Sequence, residues 1–123
     1  MNKRILIIDD VRDIAEAFKK QLDLCGGYDS DIASGGAEAL EMASASHYDL
    51  LLLDLVMPDV DGIEVLNAIK ADPEKYGHVP VIALTNVTAE DTRKEVEGLG
   101  ADGYVVKTDA EIETVVAELF NRG

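Results

Sequence analysis

The sequence is short of the residues that mark several common protein types. Among 123 residues there is one cysteine, Cys25, so no internal disulfide forms and a reducing compartment suits the chain. Its position at the end of an expected helix marks it as a small, buried or half-buried hydrophobe. Basic residues are also scarce: 11 Lys and Arg stand against 25 Asp and Glu, a formal net charge of -14. That balance argues against direct DNA binding and against an anionic membrane surface, because both affinities come mainly from Lys and Arg. It favours solubility and partners with basic surfaces. No apolar run approaches the roughly 20 residues of a membrane-spanning helix. The apolar segment after Lys3-Arg4 ends at Asp9, too soon for a signal peptide, so the expected location is cytoplasmic. His47 and His78 are isolated and have no metal-ligand spacing. Linkers, repeats and low-complexity stretches are missing too, and the length fits one domain over 1–123.

What is present is a chain of 47% hydrophobic residues, too many for a disordered acidic tail. Arg4 to Ile8 is a short β-branched run that reads as a buried strand. Val11, Ile14, Ala15, Phe18 and Leu22 then recur at helical spacing up to Gly26-Gly27. Tyr28 to Ala33 is a more polar strand, suited to a sheet edge. A helix follows from Ser34-Gly35-Gly36 to Ala45, with Ala37, Leu40 and Ala43 or Ser44 facing inward. Asp49 to Asp54 carries four consecutive leucines, the pattern of a strand covered on both faces. The next helix runs from Gly62 to Lys70 and closes before Asp72-Pro73. Val79 to Leu84 is a fourth strand. Thr88-Ala89-Glu90-Asp91 reads as a helix N-cap with acids in the first turn. Tyr104 to Val106 is a fifth strand, and Ile112, Val115, Val116, Leu119 and Phe120 share one face of a last helix. Five strands alternating with five helices imply a parallel sheet with helices on both faces and right-handed crossovers.

Polar residues follow the strands at one edge. Asp9 and Asp10 follow the first, Asp54 the third, Thr85 and Asn86 the fourth, and Lys107 the fifth. In open parallel sheets this carboxyl edge binds ligands. If the three acids converge they repel: each pair of charges about 4 Å apart costs roughly 4 kcal/mol at an effective dielectric near 20. The cluster must therefore bind a cation, hold protons, or be propped by Lys107.

The pieces Ile7-Ile8-Asp9-Asp10, Ala33 to Leu40, Asp54 to Gly62, Leu84-Thr85 and Gly100 to Lys107 resemble, in this order and along the whole chain, the receiver domain of two-component response regulators, as in single-domain chemotaxis regulators. The resemblance implies a flavodoxin-like doubly wound sheet in the order 2-1-3-4-5. It also implies that Asp54 accepts a phosphoryl group from a histidine kinase or histidine phosphotransfer protein, in signal transduction or a phosphorelay. Asp9, Asp10, Asp54 and the Val56 backbone carbonyl would hold Mg2+, with Mn2+ as a substitute. Lys107 and Thr85 would meet the phosphoryl oxygens, and Thr85 and Tyr104 would switch a face formed by the fourth helix, fifth strand and fifth helix. Asp91, Glu95 and Glu97 on the fourth helix and Glu111, Glu113 and Glu118 on the fifth make the surroundings of that face acidic, so a downstream output protein with a basic surface is expected. With only Asn121-Arg122-Gly123 after Phe120, the expectation is a receiver alone, whether free-standing or one module of a longer protein.

Three departures from the family pattern stand near the site. Thr108 follows Lys107 where proline is usual. Asn86 takes a position usually held by a small residue. Val56 and Val87 are apolar where polar residues are frequent, which predicts hindered attack by water and a long-lived phospho-form. A different class, an aspartyl-nucleophile phosphatase or phosphotransferase enzyme on a similar fold, needs an acid two residues after the nucleophile. Val56 holds that place, so the reading is a protein that catalyses only its own phosphorylation and dephosphorylation.

Overall fold

The computed structural model describes residues 2–57, 60–85, 90–107 and 112–122. Pro58, Asn86, Val87, the Thr88 cap, Glu111 and Thr108, including the Lys107–Thr108 bond, lie outside the described residues. The elements are β1 (Lys3–Ile8), α1 (Arg12–Cys25), β2 (Tyr28–Ala33), α2 (Gly36–Ala45), β3 (Leu50–Asp54), α3 (Gly62–Ala71), α4 (Pro73–Tyr76), β4 (Val81–Thr85), α5 (Glu90–Gly98), β5 (Gly103–Val106) and α6 (Ile112–Arg122). All four strand pairings are parallel, and the sheet order is β2-β1-β3-β4-β5.

The leucine run explains the two-sided core. Leu51 and Leu53 point into one cluster with Leu6, Ile8, Ala83 and residues of α2, α3 and α5. Leu50 and Leu52 point into the other, with Ile5, Ile7, Leu84 and residues of α1 and α6. All four leucines are fully buried. At about 2 kcal/mol for each buried leucine side chain, this strand helps to keep both helical layers on the sheet, as β1 does with Ile5 to Ile8, which are also fully buried.

Four expectations change. The helix count is six: α4 is a single turn of Pro-Glu-Lys-Tyr between α3 and β4, capped by the Asp72 carboxylate, which accepts from the Lys75 backbone N–H. Four residues are too few to carry a helical period. On α2 the inward residues are Ala39 and Ala43, with Leu40 partly buried, while Ala37 and Ser44 are exposed. Helix α1 begins after Val11, which is 45% exposed and does not belong to its buried face. Cys25 is exposed, because it ends α1 at the turn through Gly26 and Gly27, two glycines with positive φ.

Candidate functional site

The sheet register brings the acids together. Ile8 pairs with Leu53, so Asp9 and Asp54 leave neighbouring strands at the same level. Beyond the strand ends the backbone stays pinned: the Asp9 N–H donates to the Ala33 carbonyl at 3.1 Å. The Leu55 N–H donates to Leu84 at 3.0 Å, and the Lys107 N–H to Thr85 at 2.7 Å. These bonds fix where each functional side chain departs from its strand.

Carboxylate oxygens of Asp9, Asp10 and Asp54 lie within 4.8 Å of one another. Asp9 and Asp54 are buried and Asp10 is exposed, so the cluster opens to solvent on the Asp10 side. Lys107 Nζ lies 2.7 Å from Asp9 Oδ2 and 3.3 Å from Asp54 Oδ1. The other Asp9 oxygen accepts the Val11 N–H at 2.9 Å, which turns the chain into α1. Asp54 Oδ1 also accepts the Val56 N–H at 3.2 Å. Thr85 is buried beside them. Together with Val11, Ile14 and Val56, the residues Asp10, Asp54, Thr85 and Lys107 line a pocket of about 320 Å³.

Of the three remedies open to repelling acids, the protein itself supplies one at neutral pH and a second below about pH 6. Lys107 props Asp9 and Asp54. Burial pushes the Asp54 carboxyl up to about 6, with the Asp9 charge adding to the rise, while Lys107 and the Val56 N–H oppose it. With all three acids ionised, three negative charges and one ammonium leave a local charge of -2. A hard divalent ion with oxygen ligands and an open side for water fits this donor set, as Mg2+ does.

Tyr104 stands elsewhere. Ala83 pairs with Tyr104 and Thr85 with Val106, so Thr85 and Tyr104 lie on one face of the sheet, two residues apart along adjacent strands. Tyr104 lines a separate depression of about 550 Å³ between α5, β5 and α6, with Arg93, Glu97, Asp102 and Glu118. Val56 is 77% exposed at the rim of the acid pocket. Helical spacing groups Val11 with Ile14, Ala15, Phe18 and Leu22. The approach of Val11 to the pocket is signalled only by the short step from Asp9, whose carboxylate holds the Val11 N–H.

Residues 5–117 match the family described as response regulator receiver domain. The response regulator MprA of Mycobacterium ulcerans (strain Agy99) is 35% identical over 121 residues, covering 97% of this chain and 49% of MprA. The chain thus spans about half the length of that curated relative. Among solved structures, the Vibrio cholerae chemotaxis protein CheY4 aligns with a TM-score of 0.85 and 28% identity, over 98% of each chain. A Burkholderia pseudomallei response regulator protein, described with a phosphorylated aspartic acid, calcium ion and citrate, aligns with a TM-score of 0.80 at 27% identity, over 94% of this chain and 65% of that one. The chain belongs to the response regulator receiver family of two-component signalling, and its sheet has the flavodoxin-like arrangement. Among the described residues, no helix is long and apolar enough to cross a membrane.

Proposed function

We propose that the chain is a phosphoacceptor in which Asp54 takes a phosphoryl group from the phosphohistidine of a kinase or phosphotransfer protein. An Asp54 carboxylate oxygen forms the new O–P bond while the N–P bond breaks, and the imidazole departs with the bonding electrons. The observation that carries this reading is the convergence of Asp9, Asp10 and Asp54 within 4.8 Å beside a buried Lys107. The aspartyl phosphate described for the Burkholderia protein supports the same chemistry here.

Asp9, Asp10, Asp54 and the Val56 carbonyl would hold Mg2+, or Mn2+ in its place. That ion supplies positive charge against the phosphoryl oxygens. The chain's own residues do the rest. Lys107 offers its ammonium to the phosphoryl group as the Asp54 charge is consumed. The Thr85 hydroxyl donates to a phosphoryl oxygen, and the inward pull on Thr85 is passed along the shared sheet face to Tyr104. The depression around Tyr104, walled by Glu97, Asp102 and Glu118, then changes shape for a downstream partner with a basic surface. No proton donor stands at Val56, so we propose no turnover of small phosphoesters. Neither DNA nor membrane insertion enters this scheme, and the cytoplasm is its setting.

Incubation with Mg2+ and acetyl phosphate, followed by peptide mass spectrometry, tests the reading. One phosphoryl group on Asp54, absent without the metal, is expected. Modification confined to other residues, or repeated turnover of a phosphoester, would overturn it.

A further inference from the structure

Two glycines beside the acid cluster are not required by backbone conformation. Positive φ occurs, among the described glycines, at Gly26, Gly27, Gly77 and Gly100; Gly36 and Gly62 are absent from that set. Both are glycine because of what lies against them. A Cβ at Gly62 would strike the Asp54 carbonyl and come within 2.6 Å of the Leu55 Cα. A Cβ at Gly36 would come within 2.6 Å of both the Cβ and the carbonyl oxygen of Val60, and 2.9 Å from Val65 Cγ2. Ordinary carbon contacts begin near about 3.5 Å, so a side chain at 36 demands a shift of roughly 1 Å. One of the obstructing atoms is backbone, and Val65 is fully buried in the core and has little room to yield.

Val60 belongs to the segment that leaves Asp54 and returns at Gly62. That segment is held at its start by the Leu55 N–H on Leu84, and closed by the Gly62 N–H on the Leu55 carbonyl at 3.2 Å. Between those anchors Val56 donates its N–H to the Asp54 carboxylate. The third support is Val60, partly buried against the first residue of α2. We propose that Gly36 is a positioning residue for the acid cluster: its missing side chain lets Val60 lie against α2, and this sets where the Val56 backbone stands relative to Asp54. The inference rests on the reading of the site as a metal-assisted phosphoacceptor.

The test measures Mg2+ affinity of the whole chain by the metal-dependent shift in melting temperature, together with the amide resonances of Leu55 and Val56. Outer supports of metal sites typically alter affinity by about 10- to 100-fold. Gly36→Ala is expected to weaken Mg2+ binding at least about tenfold and to move both resonances. Gly98→Ala, at a glycine with open space around its Cβ position, is expected to leave both unchanged. Should Gly36→Ala fail to fold, Val60→Gly carries the test: it adds no atoms and removes the Cβ that rests against Gly36, so metal binding should weaken and the resonances move. Unchanged affinity and resonances in the folded variant, with the parent binding Mg2+, overturn the role of Gly36 alone. A parent protein that takes up no Mg2+ overturns the reading of the site as well.

Discussion

Lys107 Nζ is bonded more closely to Asp9, at 2.7 Å, than to Asp54, at 3.3 Å, although 98 residues separate Lys107 from Asp9. The ammonium is therefore seated among the acids proposed to hold the metal, and it shields the nucleophile from the side. Its side chain and those of both partners are almost completely buried. Removing the one ammonium leaves two buried carboxylates uncompensated, which costs about 3–5 kcal/mol. Lys107→Met is expected to lower metal-free stability by this amount at pH 7. Added Mg2+ should restore more stability to the variant than to the parent, because the ion then supplies the missing charge. Urea unfolding with and without Mg2+ checks both parts; a variant as stable as the parent without metal would contradict the first.

Asp54 predicts a pH dependence of opposite sense from that of ordinary paired acids. Its carboxyl is pushed from 3.8 up to about 6, chiefly by burial. The folded protein thus binds the proton more tightly than the unfolded chain does. The stability contributed by this preference is complete below pH 3.8 and is lost as pH rises through 6. A rise of about two pKa units corresponds to roughly 3 kcal/mol. Asp54→Asn, which carries no charge to desolvate, should therefore be more stable than the parent above pH 6, by up to that amount. Thermal melts at pH 4 and pH 7.5 without divalent ions are the measurement. Equal melting temperatures at pH 7.5 would argue against a raised Asp54.

At the opposite end of the sheet, Asp49 behaves in the ordinary sense. Its carboxylate accepts the Arg4 N–H at 2.8 Å, and its own N–H donates to the Arg4 carbonyl at 2.7 Å. The Arg4 N–H, with help from His47, holds the Asp49 carboxyl below the usual range. This stabilisation is present above the unfolded pKa of 3.8 and is lost as pH falls through the depressed folded value. Asp49→Ala should cost about 1–2 kcal/mol at pH 7, the penalty for a part-buried donor losing its acceptor. The gap between variant and parent should shrink below pH 4. Chemical denaturation at pH 7 and pH 3 compares the two.

These relationships differ in how far the sequence reveals them. The leucine run before Asp54 has only one comfortable environment, a central strand buried on both faces, so the position of Asp54 at a sheet edge could be read directly. The acids after the first strand and Lys107 after the fifth share that edge in any parallel α/β sheet. Contacts between distant side chains leave no such trace. Tyr48 is buried, donates its hydroxyl to Asp31 at 2.8 Å, and has Arg4 stacked 4.8 Å over its ring. Burial first, then the Asp31 bond, pushes the Tyr48 hydroxyl to about 12. Nothing in the local pattern joins positions 4, 31 and 48. The inward face of α2 differs from the expected one because the helix is mostly alanine, glycine and serine, whose small differences in hydrophobicity leave the helical phase weakly marked.

Val56 offers the sharpest test of how the pocket rim acts on chemistry. It is 77% exposed, and with Val11 and Ile14 it supplies apolar surface beside Asp54, Thr85 and Lys107. Water that hydrolyses an aspartyl phosphate must approach through this rim and be oriented there. An isopropyl group makes no hydrogen bond to such a water, whereas a carboxamide both donates and accepts. Val56→Asn should therefore shorten the phospho-form's lifetime, by up to about tenfold, the effect of one net hydrogen bond of roughly 1.4 kcal/mol to the attacking water. The substitution is at an exposed position, so stability should change by no more than about 0.5 kcal/mol. Loss of radiolabel from the phosphorylated protein, after the donor is removed, gives the rate directly. A variant that loses phosphate at the parent's rate would mean that the apolar rim does not control access of water. In that case the lifetime would be set deeper in the pocket, by Lys107 and Thr85.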